Sequence, residues 1–300
     1  MEDGEPAMSE IRDCIAPDRN PRRPRTRLPK GAVDTHVHVF DSRYPMSPAR
    51  GYNPPPSPLA DLRQLHATLG IDRVVFTQPS VYGIDNSAIV DGMKALNSET
   101  PNRARAVVAL DMNFTENDLA AMDAIGVRGV RLNTDNKGGM PIAFEDIAEL
   151  SARIRSFHWH LEFLFPGKEI LELMPVFTSL SVPMSIAHFA YQPASAGVKA
   201  PGFQALVELA KRGNTWIKIS GANRVSRGDL PPYDDVKPMA HALIAAAPER
   251  IMWGTDWPHP NKYLVNPNDG DLVDAFGDWV TDEATRRKIM VDTPAAFYRF

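Results

Sequence analysis

His36 and His38 stand two apart in AVDTHVHVF, a run whose β-branched content reads as a strand. Side chains two apart on a strand project from one face, so the two imidazoles converge. Such a pair can chelate a metal ion or serve as an acid/base and substrate-binding pair. Near the other end of the chain, Asp256 follows an apolar run in WGTDWPHP. A carboxylate there can take a proton from an attacking water or ligate a metal. The flanking Trp253, Trp257 and His259 predict an aromatic, partly dry pocket in which a carboxylate's basicity rises. His188, in SIAHFA, completes a three-histidine, one-aspartate set compatible with a zinc ion. Asp34 falls on the same alternation as His36 and His38, nearer the start of the strand, and reads as a structural hydrogen-bond acceptor.

Anion-binding candidates accompany this set. Arg131 and Asn133 end VRGVRLN on one side of a strand, with Arg128 on the other. An arginine at Arg131 suits bidentate capture of a carboxylate. Lys137 adds a second positive charge from the following loop, and Arg224 a third. Tyr52, Gln78, Ser80 and Tyr82 fall in loops where they can bind substrate oxygens or only brace the chain, and His259 and Asn261 are further candidate contacts. His66, His158, His160 and His241 lie on helices or at strand starts and read as structural or solvated.

These residues need elements that bring distant segments to one edge. Eight short β-rich runs supply them: 32–40, 72–77, 104–110, 127–133, 159–165, 182–188, 215–220 and 250–256. Stretches with helical spacing lie between them, as at 59–70, 86–99, 144–157, 202–213 and 234–247. Gly70 and Gly213 read as helix C-termini and Thr115 as an N-cap. Eight such units predict an α/β fold, a closed (β/α)₈ TIM-type barrel over residues 30–300. Every site candidate then falls at the C-terminal ends of the strands, where barrel active sites lie. The NPPPSP run at 53–58 and the Pro/Asn/Asp-rich loop from Asn261 to Gly270 open on that face. Residues 1–29 lack apolar periodicity and read as a tail, flexible or draped over the fold. No Gly-rich dinucleotide fingerprint follows the first strand.

Composition narrows the partners. A net charge of -4 argues against nucleic acid, despite the basic run RNPRRPRTRLPK. No stretch is apolar enough for a membrane span. Cys14 is the only cysteine, which excludes an intrachain disulfide and suits a cytoplasmic place. A homo-oligomer is compatible with the sequence.

GAVDTHVHVFD at 31–41 and WGTDWPHPN at 253–261, with ARGYNPP, TQPSVYGIDN, GVRGVRLN and the closing VDTPAAFYRF, resemble the amidohydrolase-related family. Within it the chain is most similar to the 2-pyrone-4,6-dicarboxylate lactonases, the 4-sulfomuconolactone hydrolases and a sugar-lactone isomerase, over about residues 30–298. The resemblance implies hydrolysis of a small carboxylated lactone. It implies that Asp256 activates water, that His36, His38 and His188 polarise the lactone carbonyl, and that Arg131 and Tyr52 hold carboxylate groups. A metal-dependent decarboxylase or a lactone isomerase on the same barrel is the alternative, with a non-catalytic carboxylate sensor behind both. Leu164 stands where a tyrosine is expected and Lys137 where an arginine is, so the dicarboxylate substrate itself is in question. Strand four ends in Arg131, a poor metal ligand, and strand five offers no histidine at its end, which argues against a binuclear centre. The resemblance implies no required cofactor, with a single Zn²⁺ held by His36, His38, His188 and Asp256 as the alternative.

Overall fold

The β-branched runs form eight short parallel strands: β1 (Val33–Val37), β2 (Arg73–Thr77), β3 (Ala104–Val108), β4 (Val127–Asn133), β5 (His160–Leu164), β6 (Met184–Ile186), β7 (Thr215–Lys218) and β8 (Ile251–Met252). The structure is a computed structural model describing residues 11–300. Neighbouring strands pair in sequence order from β1 to β8. Backbone bonds between β1 and the segment after β8 bring the two ends of the sheet together. Thr35 N donates to Trp253 O at 3.3 Å, Asp256 N to His36 O at 2.9 Å and His38 N to Trp257 O at 2.8 Å. The fold is the (β/α)₈ barrel that the alternation predicts, and the two motif segments lie side by side.

The surrounding helices are α1 (Leu59–Leu69), α2 (Ser87–Glu99), α3 (Glu116–Ile125), α4 (Ile147–Ile154), α5 (Ile170–Ser179), α6 (Pro201–Lys211), α7 (Ala222–Val225), α8 (Lys237–Ala246), α9 (Asp269–Trp279), α10 (Glu283–Arg287) and α11 (Thr293–Tyr298). Their boundaries follow local chemistry. α1 turns Leu62, Leu65 and Leu69 to the core and stops at Gly70, whose φ of 78° an L side chain would resist. Thr115 and Asp118 form a capping box that starts α3.

The barrel floor is apolar: Val33, Val75, Val107 and Met252 pack with Tyr298 of α11, which closes the bottom. Asp34 departs from the expected alternation. The β1–β2 register shifts between Asp34 and Val37, and Asp34 meets His66 of α1 rather than sharing the face of His36 and His38. It is nonetheless a structural acceptor, taking bonds from Thr255 N at 2.9 Å and Thr255 Oγ1 at 2.6 Å.

Residues 11–29 lie against the barrel through polar contacts. Arg22 pairs with Asp271 and Asp274 of α9, and Thr26 N donates to Asp274 Oδ1 at 2.8 Å. Closer to the mouth, Cys14 N donates to Asn53 O at 2.7 Å and Ile15 N to Lys262 O at 3.0 Å.

Candidate active site

Four side chains from three strand ends meet in the buried upper barrel. Asp256 Oδ1 lies 3.4 Å from His188 Nε2, 3.8 Å from His36 Nε2 and 3.9 Å from His38 Nε2. Asp256 Oδ1 and His36 Nε2 have no hydrogen-bond partner among the described residues. A buried carboxylate oxygen facing three ring nitrogens without a bond costs stability, and such costs gather where chemistry is done. The backbone is strained at the same place. His188, Phe189, Ala190 and Tyr191 form consecutive left-handed residues with φ between 50° and 53°, and Asp256 has φ 66°. Each non-glycine residue there costs about 1–2 kcal/mol.

Two glycines make room. A Cβ on Gly221 would stand 2.6 Å from His188 Nδ1, and one on Gly254 2.7 Å from His36 N. Any larger residue would displace the imidazole or the strand that carries it.

The other ring nitrogens define what each imidazole offers. His38 Nδ1 lies 2.7 Å from Thr77 O. A carbonyl oxygen only accepts, so the proton sits on Nδ1 and Nε2 presents a bare lone pair to the site. His36 Nδ1 is flanked by Lys218 Nζ at 3.3 Å and Glu162 Oε1 at 3.5 Å. Either tautomer of His36 therefore finds a partner. With its proton on Nε2 it donates into the site; with the proton on Nδ1 it presents a bare nitrogen. His188 Nδ1 bonds Ser220 Oγ at 3.0 Å.

Burial holds all three imidazoles neutral. Desolvation, with the Lys218 charge, pushes His36 well below its ordinary value. Desolvation, reinforced by Arg131, lowers His38 to about 3. Desolvation also lowers His188 to about 3, against the opposing pull of Asp256. For Asp256 itself burial acts upward, but the Arg224 charge overcomes it and holds the carboxyl below the usual range. The direction is opposite to the one expected from aromatic flanks. Arg224 Nε donates to Asp256 Oδ2 at 2.6 Å, and Trp253 and Trp257 point elsewhere, toward Phe276 and toward the crevice beside Pro17.

The small cavity above Asp256 measures about 20 Å³, room for roughly one water. His38, His188, Tyr52, Arg131, Asn133, Arg224 and Asn261 border it, as does Leu164 in place of the expected tyrosine. Arg131 Nη1 donates to Gln78 O at 2.6 Å, which aims the guanidinium. Ser80 is buried in the turn after β2, beside Tyr52. Tyr82 bonds Asp41 instead, its hydroxyl accepting from Asp41 N at 3.1 Å, away from this cavity. His259 is buried against Asp269, Nε2 to Oδ1 3.1 Å, and braces the loop rather than lining the cavity. Lys137 lies in a neighbouring outer cavity.

Four residues enter the site that pattern reading did not single out. Tyr191 and Asn136 line the cavity. Beneath it, Lys218 Nζ bonds Thr35 O at 2.7 Å and pairs with Glu162, both side chains fully buried. The available signal was a lone charge inside each of two apolar strands, WHLEFLF and TWIKIS.

The amidohydrolase family model matches residues 33–300. The chain belongs to the amidohydrolase family. It is 34% identical to a 4-sulfomuconolactone hydrolase of Hydrogenophaga intermedia over 95% of this chain and 94% of that one. A 2-pyrone-4,6-dicarboxylate hydrolase of Comamonas testosteroni is 32% identical, covering 93% of each chain. A D-galactarolactone isomerase of Agrobacterium fabrum is also 32% identical, over 92% of this chain and 94% of that one. An apo crystal structure of an Agrobacterium tumefaciens protein superposes with a TM-score of 0.81 at 32% identity, covering 92% of this chain and 98% of the other. These likenesses agree with an amidohydrolase-type barrel along nearly the whole chain.

His36, His38 and Asp256 each offer a ligand atom, and these lie within 4.8 Å of one another. The bare Nε2 of His38, fixed by the carbonyl behind it, and the orphaned Asp256 Oδ1 suit a single divalent ion. Among the described residues no helix is long and apolar enough to cross a membrane.

Proposed function

We propose that this amidohydrolase opens a small acidic lactone with water. The observation that carries the reading is Asp256 Oδ1, buried, unbonded and facing three neutral imidazoles beside Arg131 and Arg224. In this reading Asp256 Oδ1 takes a proton from water, whose oxygen attacks the lactone carbonyl carbon. His38, with its bare Nε2, accepts the second water hydrogen bond and orients the nucleophile. His36 and His188 donate from Nε2 to the oxyanion as it forms. Collapse breaks the ring C–O bond, and the proton on Asp256 passes to the leaving oxygen.

Arg131 and Arg224 hold the substrate's carboxylate, with Tyr52, Asn133 and Asn261 around it. A carboxylate that engages Arg224 competes with Asp256 for the same guanidinium, so binding frees the base it needs. His36, His38 and Asp256, with His188 beside Asp256, are the residues that would hold one zinc ion, which would supply a Lewis acid for the carbonyl. A cytoplasmic enzyme acting without nucleic-acid or membrane partners fits the same reading.

The isomerase at the same level of identity supports a second reading, migration of the lactone without net hydrolysis. Product analysis separates the two. Protein purified without chelator, assayed for metal content and then incubated with a panel of carboxylated lactones, is expected to yield ring-opened acids. Isomeric lactones would favour the second reading, and released CO₂ would sink both.

A further inference from the structure

A second, larger cavity opens above the inner one and is cationic. It measures about 400 Å³ and is bordered by Arg12, Arg50 and Lys137, with Asp135 as its one carboxylate. Among the described residues none of the three cations forms an ion pair, although the chain carries many acidic residues. Arg50 is held in place by neutral acceptors: its Nε donates to Asn53 Oδ1 at 2.7 Å and its Nη1 to Ser47 O at 3.1 Å. Its charge is therefore positioned without being neutralised.

Asn136 and Asn261 border both cavities. Asn261 Nδ2 donates to Asn136 Oδ1 at 3.1 Å, and Tyr263 OH donates to Asn261 Oδ1 at 2.5 Å. Arg12, from the segment ahead of the barrel, stacks over the Tyr263 ring at 4.0 Å from its centroid. This chain of contacts lies between the small inner pocket and a solvent-open cleft wide enough for a small organic anion.

We propose that the outer cavity is an anion subsite that holds a second acidic group of the substrate, a carboxylate or sulfonate, through Arg12 and Arg50 while the lactone ring occupies the inner pocket. The inference rests on the lactonase reading and goes beyond it by assigning a substrate-selecting role to the segment before the barrel. It follows that the Asn136–Asn261–Tyr263 partition opens when a doubly acidic substrate spans both chambers. Charge at this distance from the carbonyl alters binding and leaves the chemical step alone.

Two measurements test it. The first compares wild type with Arg12→Gln, Arg50→Gln and the double variant on paired lactones bearing one or two acidic groups. For the doubly acidic substrate KM is expected to rise about three- to tenfold per charge removed, with kcat unchanged and with Arg12→Lys retaining most of the affinity. For the singly acidic substrate KM stays constant. Equal effects on both substrates, or none on either, would overturn the proposal. The second measurement needs no turnover and so separates this proposal from the lactonase reading. Calorimetric titration with citrate is expected to show at least about tenfold weaker binding to the double variant than to wild type, a difference that shrinks at high salt. Equal affinities overturn the subsite whether or not any lactone is opened. Matching thermal melts of wild type and variants establish that both arginines act on binding and not on folding.

Discussion

Two buried polar clusters sit one above the other in the barrel, and they are wired differently. In the lower one Lys218 Nζ is fully used, bonding Thr35 O, Glu162 and His36 Nδ1. In the upper one Asp256 Oδ1 faces three Nε2 atoms at 3.4–3.9 Å and bonds none of them. Both clusters are buried and both carry charge. The lower one spends its ammonium and one Glu162 oxygen on the fold, leaving Glu162 Oε1 unbonded, and the upper one leaves Asp256 Oδ1 free to face the cavity. The contrast fits the proposed reading, in which the lower pair positions His36 and the upper carboxylate acts on water.

The sharpest way to break that contrast is to exchange the two carboxylates' roles by mutation. Asp256→Asn is expected to lower kcat by about 10²–10⁴-fold on a lactone that wild type opens, and to cost some stability as well because it takes the counter-charge from Arg224. Glu162→Gln is expected to do the reverse, acting chiefly on stability, because it leaves the Lys218 ammonium buried without its counter-charge. Urea unfolding of Glu162→Gln or Lys218→Met should show a loss of about 3–5 kcal/mol, and the double variant should recover part of it. An additive double variant would mean the pair is not coupled.

Smaller effects sharpen the comparison. Replacing Arg131 by Met removes what the proposed reading makes a charge-assisted bond to substrate and is expected to raise KM by about one to two orders of magnitude. The pH dependence of stability carries the sign of the buried imidazoles. His36, His38 and His188 are neutral in the folded protein, with His38 and His188 titrating near 3, while in the unfolded chain they titrate near 6.5. Above about pH 6.5 they contribute nothing, since both states are neutral. As pH falls from there toward 3 the unfolded chain takes up the protons, and stability drops by up to about 1.4 kcal/mol per imidazole per pH unit. Urea midpoints of metal-free protein between pH 7 and 5 check this, and a flat profile would contradict neutral burial. Smallest of all, Thr115→Ala removes the cap of α3, remote from both clusters, and is expected to cost about 1 kcal/mol with full activity.

The barrel was legible because each β-rich run and each helical run carries its own period, and eight of each leave few alternatives. The upper cluster was legible for a related reason. His36, His38, His188 and Asp256 are polar residues at the ends of apolar runs, and a barrel gathers those ends at one rim. The lower cluster was hidden because a single glutamate in WHLEFLF and a single lysine in TWIKIS show their partnership only once β5 and β7 face each other across the barrel. Asp34 was misplaced because a register shift is invisible to alternation. The weakened basicity of Asp256 was missed because Arg224, distant in sequence, reaches it only in three dimensions. The contacts of residues 11–29 escaped notice because bonds such as Arg22 to Asp271 have no period.

The account's central claim is that water held at Asp256 attacks the lactone carbonyl. Turnover in isotopically labelled water, followed by mass analysis of the opened acid, tests it most directly. The account predicts one labelled oxygen per molecule, located in the new carboxylate. Label in the alcohol oxygen, or an unlabelled isomeric lactone as the product, would contradict it.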